Sequence, residues 1–142
     1  MSATFVRQNT PNAFTNAYRH VGIETGVLSA SPHRLIAMLF DGAQDSINQA
    51  RGAIKASDQA AKGRAIARAL RVVDEGLRSG LNLEAGGSLA ISLNELYGYI
   101  ALRLTHANLH SDERALAECA GLIEPLRSAW RAIGPQFQGA QA

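Results

Sequence analysis

The sequence predicts an all-α protein, an antiparallel four-helix bundle, and three observations carry that prediction. Apolar residues make up 46% of the 142 residues but aromatics only 6%. The core is therefore built mainly from Leu, Ile, Val and Ala, which suits packed helices better than sheets. Between Ser31 and Pro135 the apolar positions recur at helical spacing in four runs of roughly 20 to 25 residues. Each run is bracketed by start and stop residues, and the short connections make neighbouring helices antiparallel. A chain of this length holds one modest core.

The first helix opens with Ser31 as cap and Pro32 at the first helical position, where its missing N–H costs nothing. It runs to about Ala56, with Ile36, Leu39, Ala43, Ile47, Ala50 and Ile54 on its apolar stripe. The second starts near Ser57 or Asp58 and ends between Gly80 and Leu83, burying Ile66, Leu70, Val73 and Leu77. Gly86 and Gly87 make the next break, and Ser88 is the expected cap of the third helix, which ends near Asn108. Its stripe is Leu89, Leu93, Leu96, Tyr97, Ile100, Leu104 and Ala107. Ser111 or Asp112 caps the fourth helix, with Leu116, Cys119, Ile123, Leu126, Trp130 and Ile133 inward and Gly134-Pro135 as the stop. Pro125 lies inside this last run and presses on the carbonyl of Gly121, at a cost of about 3 kcal/mol in a rigid helix. A kink near Gly121 is expected, with the stripe holding its phase through Ile133. Three regions follow: a flexible arm or short cap helix over 1–30, the bundle over 31–135, and a frayed tail over 136–142.

Several function classes are disfavoured by composition. Net charge is +2, with twelve of the 14 basic residues being Arg, a balance that singles out neither nucleic acid nor an anionic membrane. Arg64, Arg68, Arg71 and Arg78 project from one side of the second helix, but interleaved Asp74 and Glu75 make this read as a solvated face. No run of apolar residues is long enough to span a bilayer, and the N-terminus has no secretory pattern. The single Cys119 suits a reducing cytosol and, on the core stripe, reads as a buried inert thiol.

Catalytic and metal chemistry find no support. A di-metal carboxylate site in a bundle needs Glu-x-x-His pairs, and none of the four histidines has a Glu three residues earlier. His106 and His110 share a helix face but lie at a helix end without a third ligand, so no metal is expected. Gly86-Gly87-Ser88 follows no strand and lacks the Lys of a phosphate loop. No cofactor is expected, and no enzyme activity.

The informative feature is a surplus of apolar residues. Leu35 and Met38 lie at the edge of the first stripe or beyond it. Ile91 and Leu102 fall opposite the main stripe of the third helix, with Tyr99 on its flank. Such residues are either scattered exposed side chains, which all proteins have, or an apolar groove outside the bundle that receives an amphipathic partner.

The stretches LSASPHRLIAMLFDGA, KGRAIARALRVVDEGLRSGLN and ELYGYIALRLTHANLHSD, with the AW of SAWRAI, resemble the flagellin-specific secretion chaperone family, FliS, over Ala17 to Pro135. The resemblance implies a cytosolic all-helical chaperone. It would bind the disordered C-terminal segment of flagellin, prevent premature polymerisation and aid delivery to the flagellar export apparatus, with an export gate protein as a further partner. Coupled folding of such a client gives up affinity to ordering, which helps a complex that must later come apart. On this reading the partner-binding residues are Leu35, Met38, Leu39, Ile91, Tyr99 and Leu102. The family's N-terminal Ala-Tyr-x-x-Val matches Ala17, Tyr18 and Val21, which makes Tyr18, Val21 and Ile23 a removable plug over the groove. The first dozen residues exceed the family's short leader, and Gly98 stands where the family often has a charged residue. The alternative is a helical adaptor or regulator for another amphipathic segment, such as an anti-sigma factor.

Overall fold

A computed structural model describes residues 31–141, with side chains through Gly134. The expected arm, with Tyr18, Val21 and Ile23, lies outside the described residues. Helix α1 spans Pro32–Lys55 and α2 spans Gln59–Leu70, continuing as a π-helical segment over Arg71–Arg78. Helices α3 and α4 span Gly87–His110 and Glu113–Gln141.

The starts follow from local hydrogen-bond chemistry. Ser31 Oγ accepts from the Arg34 N–H at 3.2 Å, Asp58 Oδ1 from that of Ala61 at 3.0 Å, and Asp112 Oδ1 from that of Ala115 at 3.2 Å. Each cap satisfies a donor that the first helical turn leaves orphaned. Helix α3 differs from expectation: it begins after Gly86 with no side-chain cap, and Gly87 has φ 60°. That left-handed backbone is a glycine's conformation, which is why the start falls before Ser88.

Consecutive helices pack as neighbours, and α4 returns to α1, so the four form a closed ring with α1 diagonal to α3. The direction alternates. His33 near the start of α1 meets Trp130 near the end of α4, and Arg51 near the end of α1 pairs with Glu113 at the start of α4 at 2.7 Å. Leu39, Ile47, Ile66, Val72, Val73, Ile100, Leu104, Leu116, Cys119 and Ile123 fill the centre, all fully buried.

The π-helical segment is the main departure from the expected periodicity. The Ser79 N–H donates to the Asp74 carbonyl, five residues back, at 3.1 Å. The wider turn brings Val72, Val73, Gly76 and Leu77 inward together. Gly76 makes the close approach possible, since a Cβ there would sit 2.9 Å from Leu39 Cδ2. Leu39, expected among the partner-binding residues, is thus in the core at 0% exposure.

Other expectations need correction. Arg68 is not on a solvated face: its guanidinium crosses to α1 and donates to Ser46 Oγ at 2.7 Å. Leu89 and Ile133, assigned to core stripes, are 56% and 38% exposed. In α4 the residue with non-helical dihedrals is Gly134, at φ 62° and ψ −164°, while Gly121 and Pro125 keep helical ones. Both lie on the exposed side of the helix, where water can serve the carbonyl that Pro125 leaves without a donor.

Candidate partner-binding groove

Helix α3 commits one face to the core through Tyr97, Ile100, Leu104 and Ala107. At 3.6 residues per turn the opposite face is the line Ile91, Glu95, Gly98, Leu102, Thr105, Leu109. On it Ile91 is 50% exposed, Leu102 71% and Leu109 77%. Between this line and the end of α2 with its π-helical segment runs an open groove of about 770 Å³. Leu70, Arg71, Asp74 and Arg78 line it from one side, and Gly98, Tyr99, Ala101 and Leu102 from the other.

Two polar arrangements shape the groove. Arg78 Nε donates to Asn94 Oδ1 at 2.8 Å and Nη1 to Asp74 Oδ1 at 3.3 Å. A Cβ on Gly98 would lie 3.2 Å from Arg78 Nη2, so the glycine leaves the guanidinium room to rest against α3. Tyr99, at the side of α3 nearer α4, donates its hydroxyl to Glu118 Oε2 at 2.5 Å, and Arg103 Nε donates to Glu118 Oε1 at 2.8 Å. The Tyr99 hydroxyl bond first, then that of Arg103, holds the Glu118 carboxyl below its usual range, and the same contact raises the Tyr99 phenol.

A second, smaller hollow of about 150 Å³ opens at the end of the bundle, lined by Phe40, Leu77, Leu89, Leu93, Trp130 and Ile133 among others. Leu89 and Ile133, the two exposed stripe residues, are part of its lining.

Of the expected partner-binding residues, the structure brings Tyr99 and Leu102 together in the groove and puts Ile91 on the same outer line of α3. Leu35 and Met38 are half-buried against the core on α1, diagonal to α3, and do not line the groove. The six residues therefore do not line one groove. Sequence reading missed the groove roles of Leu70, Arg78 and Gly98 and the exposure of Leu109. Gly98 was the available signal, because a glycine inside a strong helix invites the question of what rests against it.

The remaining candidates for chemistry have structural roles. Cys119 is buried, contacts the Ile100 carbonyl at 3.8 Å, and burial pushes its thiol up to about 12, the behaviour of an inert core residue. His106 Nε2 lies 3.2 Å from Asp112 Oδ2 and its ring centroid 4.5 Å from that of His110. Among the described residues no group of three or more His, Cys, Asp or Glu could hold a metal. Among them, too, no helix is long and apolar enough to cross a membrane.

The fold is a ring of four helices with an open, largely apolar groove along one outer face, a geometry that helical binding proteins use. Comparison with known proteins names the family. The family model described as "Flagellar protein FliS" matches residues 14–137. The flagellar secretion chaperone FliS of Salmonella typhimurium (strain LT2) is 45% identical over 120 residues, covering 84% of this chain and 89% of that protein. FliSB of Pseudomonas aeruginosa is 40% identical over 82% of this chain and 91% of its own, and the FliS of Escherichia coli K12 is 35% identical over 82% and 86%. The chain belongs to the FliS family of flagellar secretion chaperones, a non-catalytic kind of protein.

Proposed function

We propose that this protein binds the disordered C-terminal segment of flagellin in the groove between the π-helical segment and α3, acting in the cytosol without catalysis. The observation that carries the reading is Leu102. It is 71% exposed, beside half-exposed Tyr99, in a groove large enough to take side chains from a second helix. An amphipathic client covering Leu102, Tyr99, Leu70 and Ala101 would bury apolar surface at about 25 cal/mol per Å². Part of that gain is lost to ordering the client, which keeps the complex reversible. A client so held cannot pair with another flagellin, and delivery to the export gate follows from keeping it unpolymerised. The arm residues Tyr18, Val21 and Ile23 compete for the same groove.

Calorimetric titration of the full chain with a peptide from the flagellin C-terminus tests this. Binding in the micromolar range or tighter is expected, with a negative heat-capacity change and a gain in helicity. No binding, or binding that Leu102→Asp leaves unchanged, would overturn the assignment of the groove. Deleting residues 1–24 is expected to raise affinity by removing the competitor; unchanged affinity would remove the plug.

A further inference from the structure

We propose that Glu118, braced by Arg103, is a positioning residue for the client: it holds Tyr99 by the hydroxyl, so that the ring shapes the groove and leaves Leu102 uncovered. The inference rests on the groove being the client site. Tyr99 and Leu102 are three residues apart on α3 and so are neighbours on the helix surface. A half-exposed aromatic ring beside a leucine that is 71% exposed would, if unrestrained, fold onto it and remove apolar surface of both from water. The hydroxyl is instead fixed across the helix pair to α4, at a distance typical of a charge-assisted bond.

The clamp is complete. Glu118 uses one carboxylate oxygen for Tyr99 and the other for Arg103, which lies four residues after Tyr99 on α3. Arg103 thereby keeps the carboxylate from rotating away. Exposed ion pairs of this kind contribute little to stability, so orientation is the larger consequence. With the ring fixed beforehand, the client does not have to order it on binding, and Leu102 need not first be released from Tyr99.

Glu118→Ala in the full chain is expected to weaken binding of the flagellin C-terminal peptide by about threefold to tenfold, the cost of ordering one side chain. Its melting temperature should stay close to that of the parent. Glu118→Gln, which keeps an acceptor for the hydroxyl, should retain most of the affinity. Tyr99→Phe should match the loss seen in Glu118→Ala, and combining the two should add nothing further. Ultraviolet titration should show the Tyr99 phenol ionising at lower pH in Glu118→Ala. Additive losses, or full affinity in Glu118→Ala, would overturn the positioning role while leaving the groove assignment intact. A parent protein that binds no peptide would instead remove the groove assignment, and this inference with it.

Discussion

The seam between α1 and α4 and the groove between the π-helical segment and α3 are both valleys between adjacent helices, and only one is closed. Along the α1–α4 seam, Arg127 reaches Asp41 at 2.7 Å, Arg131 reaches the same carboxylate at 3.0 Å, and Gln44 Nε2 donates to the Ala120 carbonyl at 3.0 Å. At its end His33 and Trp130 close a reciprocal clasp. Trp130 Nε1 donates to the His33 carbonyl and His33 Nε2 meets the Trp130 carbonyl, both at 2.9 Å, with the rings stacked at 5.1 Å. Between α2 and α3 the bridges stand at the two ends. Lys62 Nζ caps the end of α3 through the Asn108 carbonyl and Ser111 Oγ, and Arg78 reaches Asn94. The stretch between them presents Leu70, Ala101, Leu102 and Thr105 beside the charged Arg71, Asp74 and Glu75. The α1–α4 valley is closed by long polar side chains that lie across it, whereas Leu70, Ala101 and Leu102 face the open α2–α3 valley.

Core and groove residues should respond differently to substitution. Leu39→Ala should produce the largest effect, a loss of about 2 to 5 kcal/mol in chemical denaturation, because it empties a site at 0% exposure. A stability change below half a kcal/mol would return Leu39 to the surface. Gly76→Ala comes next, at about 1 to 3 kcal/mol, since the added methyl meets Leu39 Cδ2 at 2.9 Å inside the core. Leu102→Asp acts on the other side of the divide. It should weaken the client peptide by at least about tenfold, or about 1.4 kcal/mol, with stability unchanged within about 0.5 kcal/mol.

The Asp112, Glu118 and Glu124 carboxyls are held low, first by the Ala115 N–H, the Tyr99 hydroxyl and the Gln44 amide respectively. The folded chain therefore binds fewer protons than the unfolded one in acid, and stability rises with pH there. This contribution is full above an unfolded carboxylate value of about 4 and is lost as pH falls through the folded values. At the alkaline end the sign reverses. The Cys119 thiol is raised from 9.0 to about 12 by burial, so its contribution is full below pH 9.0 and is lost as pH rises through the folded value. Denaturation midpoints across pH should decline at both ends, with a shallower alkaline decline in Cys119→Ala. Gly98→Ala should have the smallest effect and the opposite sign to Gly76→Ala. Arg78 Nη2, at 3.2 Å, is the end of a flexible side chain and can yield, so the gain in helix propensity of at most about 1 kcal/mol wins.

The four helices were legible because their signals are local. Ser31, Asp58 and Asp112 act through bonds to residues three positions away, and Gly134 interrupts α4 with its own backbone. Leu102 and Ile91 were legible as groove candidates because they fall off the stripe, a property of spacing alone. Leu39 was not separable from Leu35 and Met38, since a continuous apolar run does not say which neighbours the fold supplies. The π-helical segment escaped because one extra residue per turn leaves no mark in composition, although the adjacent buried pair Val72 and Val73 is its trace. Arg68 and Lys62 escaped because their acceptors, Ser46 on α1 and Ser111 in the α3–α4 turn, are distant in sequence.

In the proposed complex the client lies on α3 and the π-helical segment and leaves α1 untouched. Amide chemical-shift changes on titrating isotope-labelled full chain with the flagellin C-terminal peptide test it most directly. The largest shifts are expected at Leu70, Arg78, Gly98, Tyr99 and Leu102, with Leu35 and Met38 little moved. Shifts centred on Leu35 and Met38, with the Gly98 to Leu102 stretch unperturbed, would contradict it.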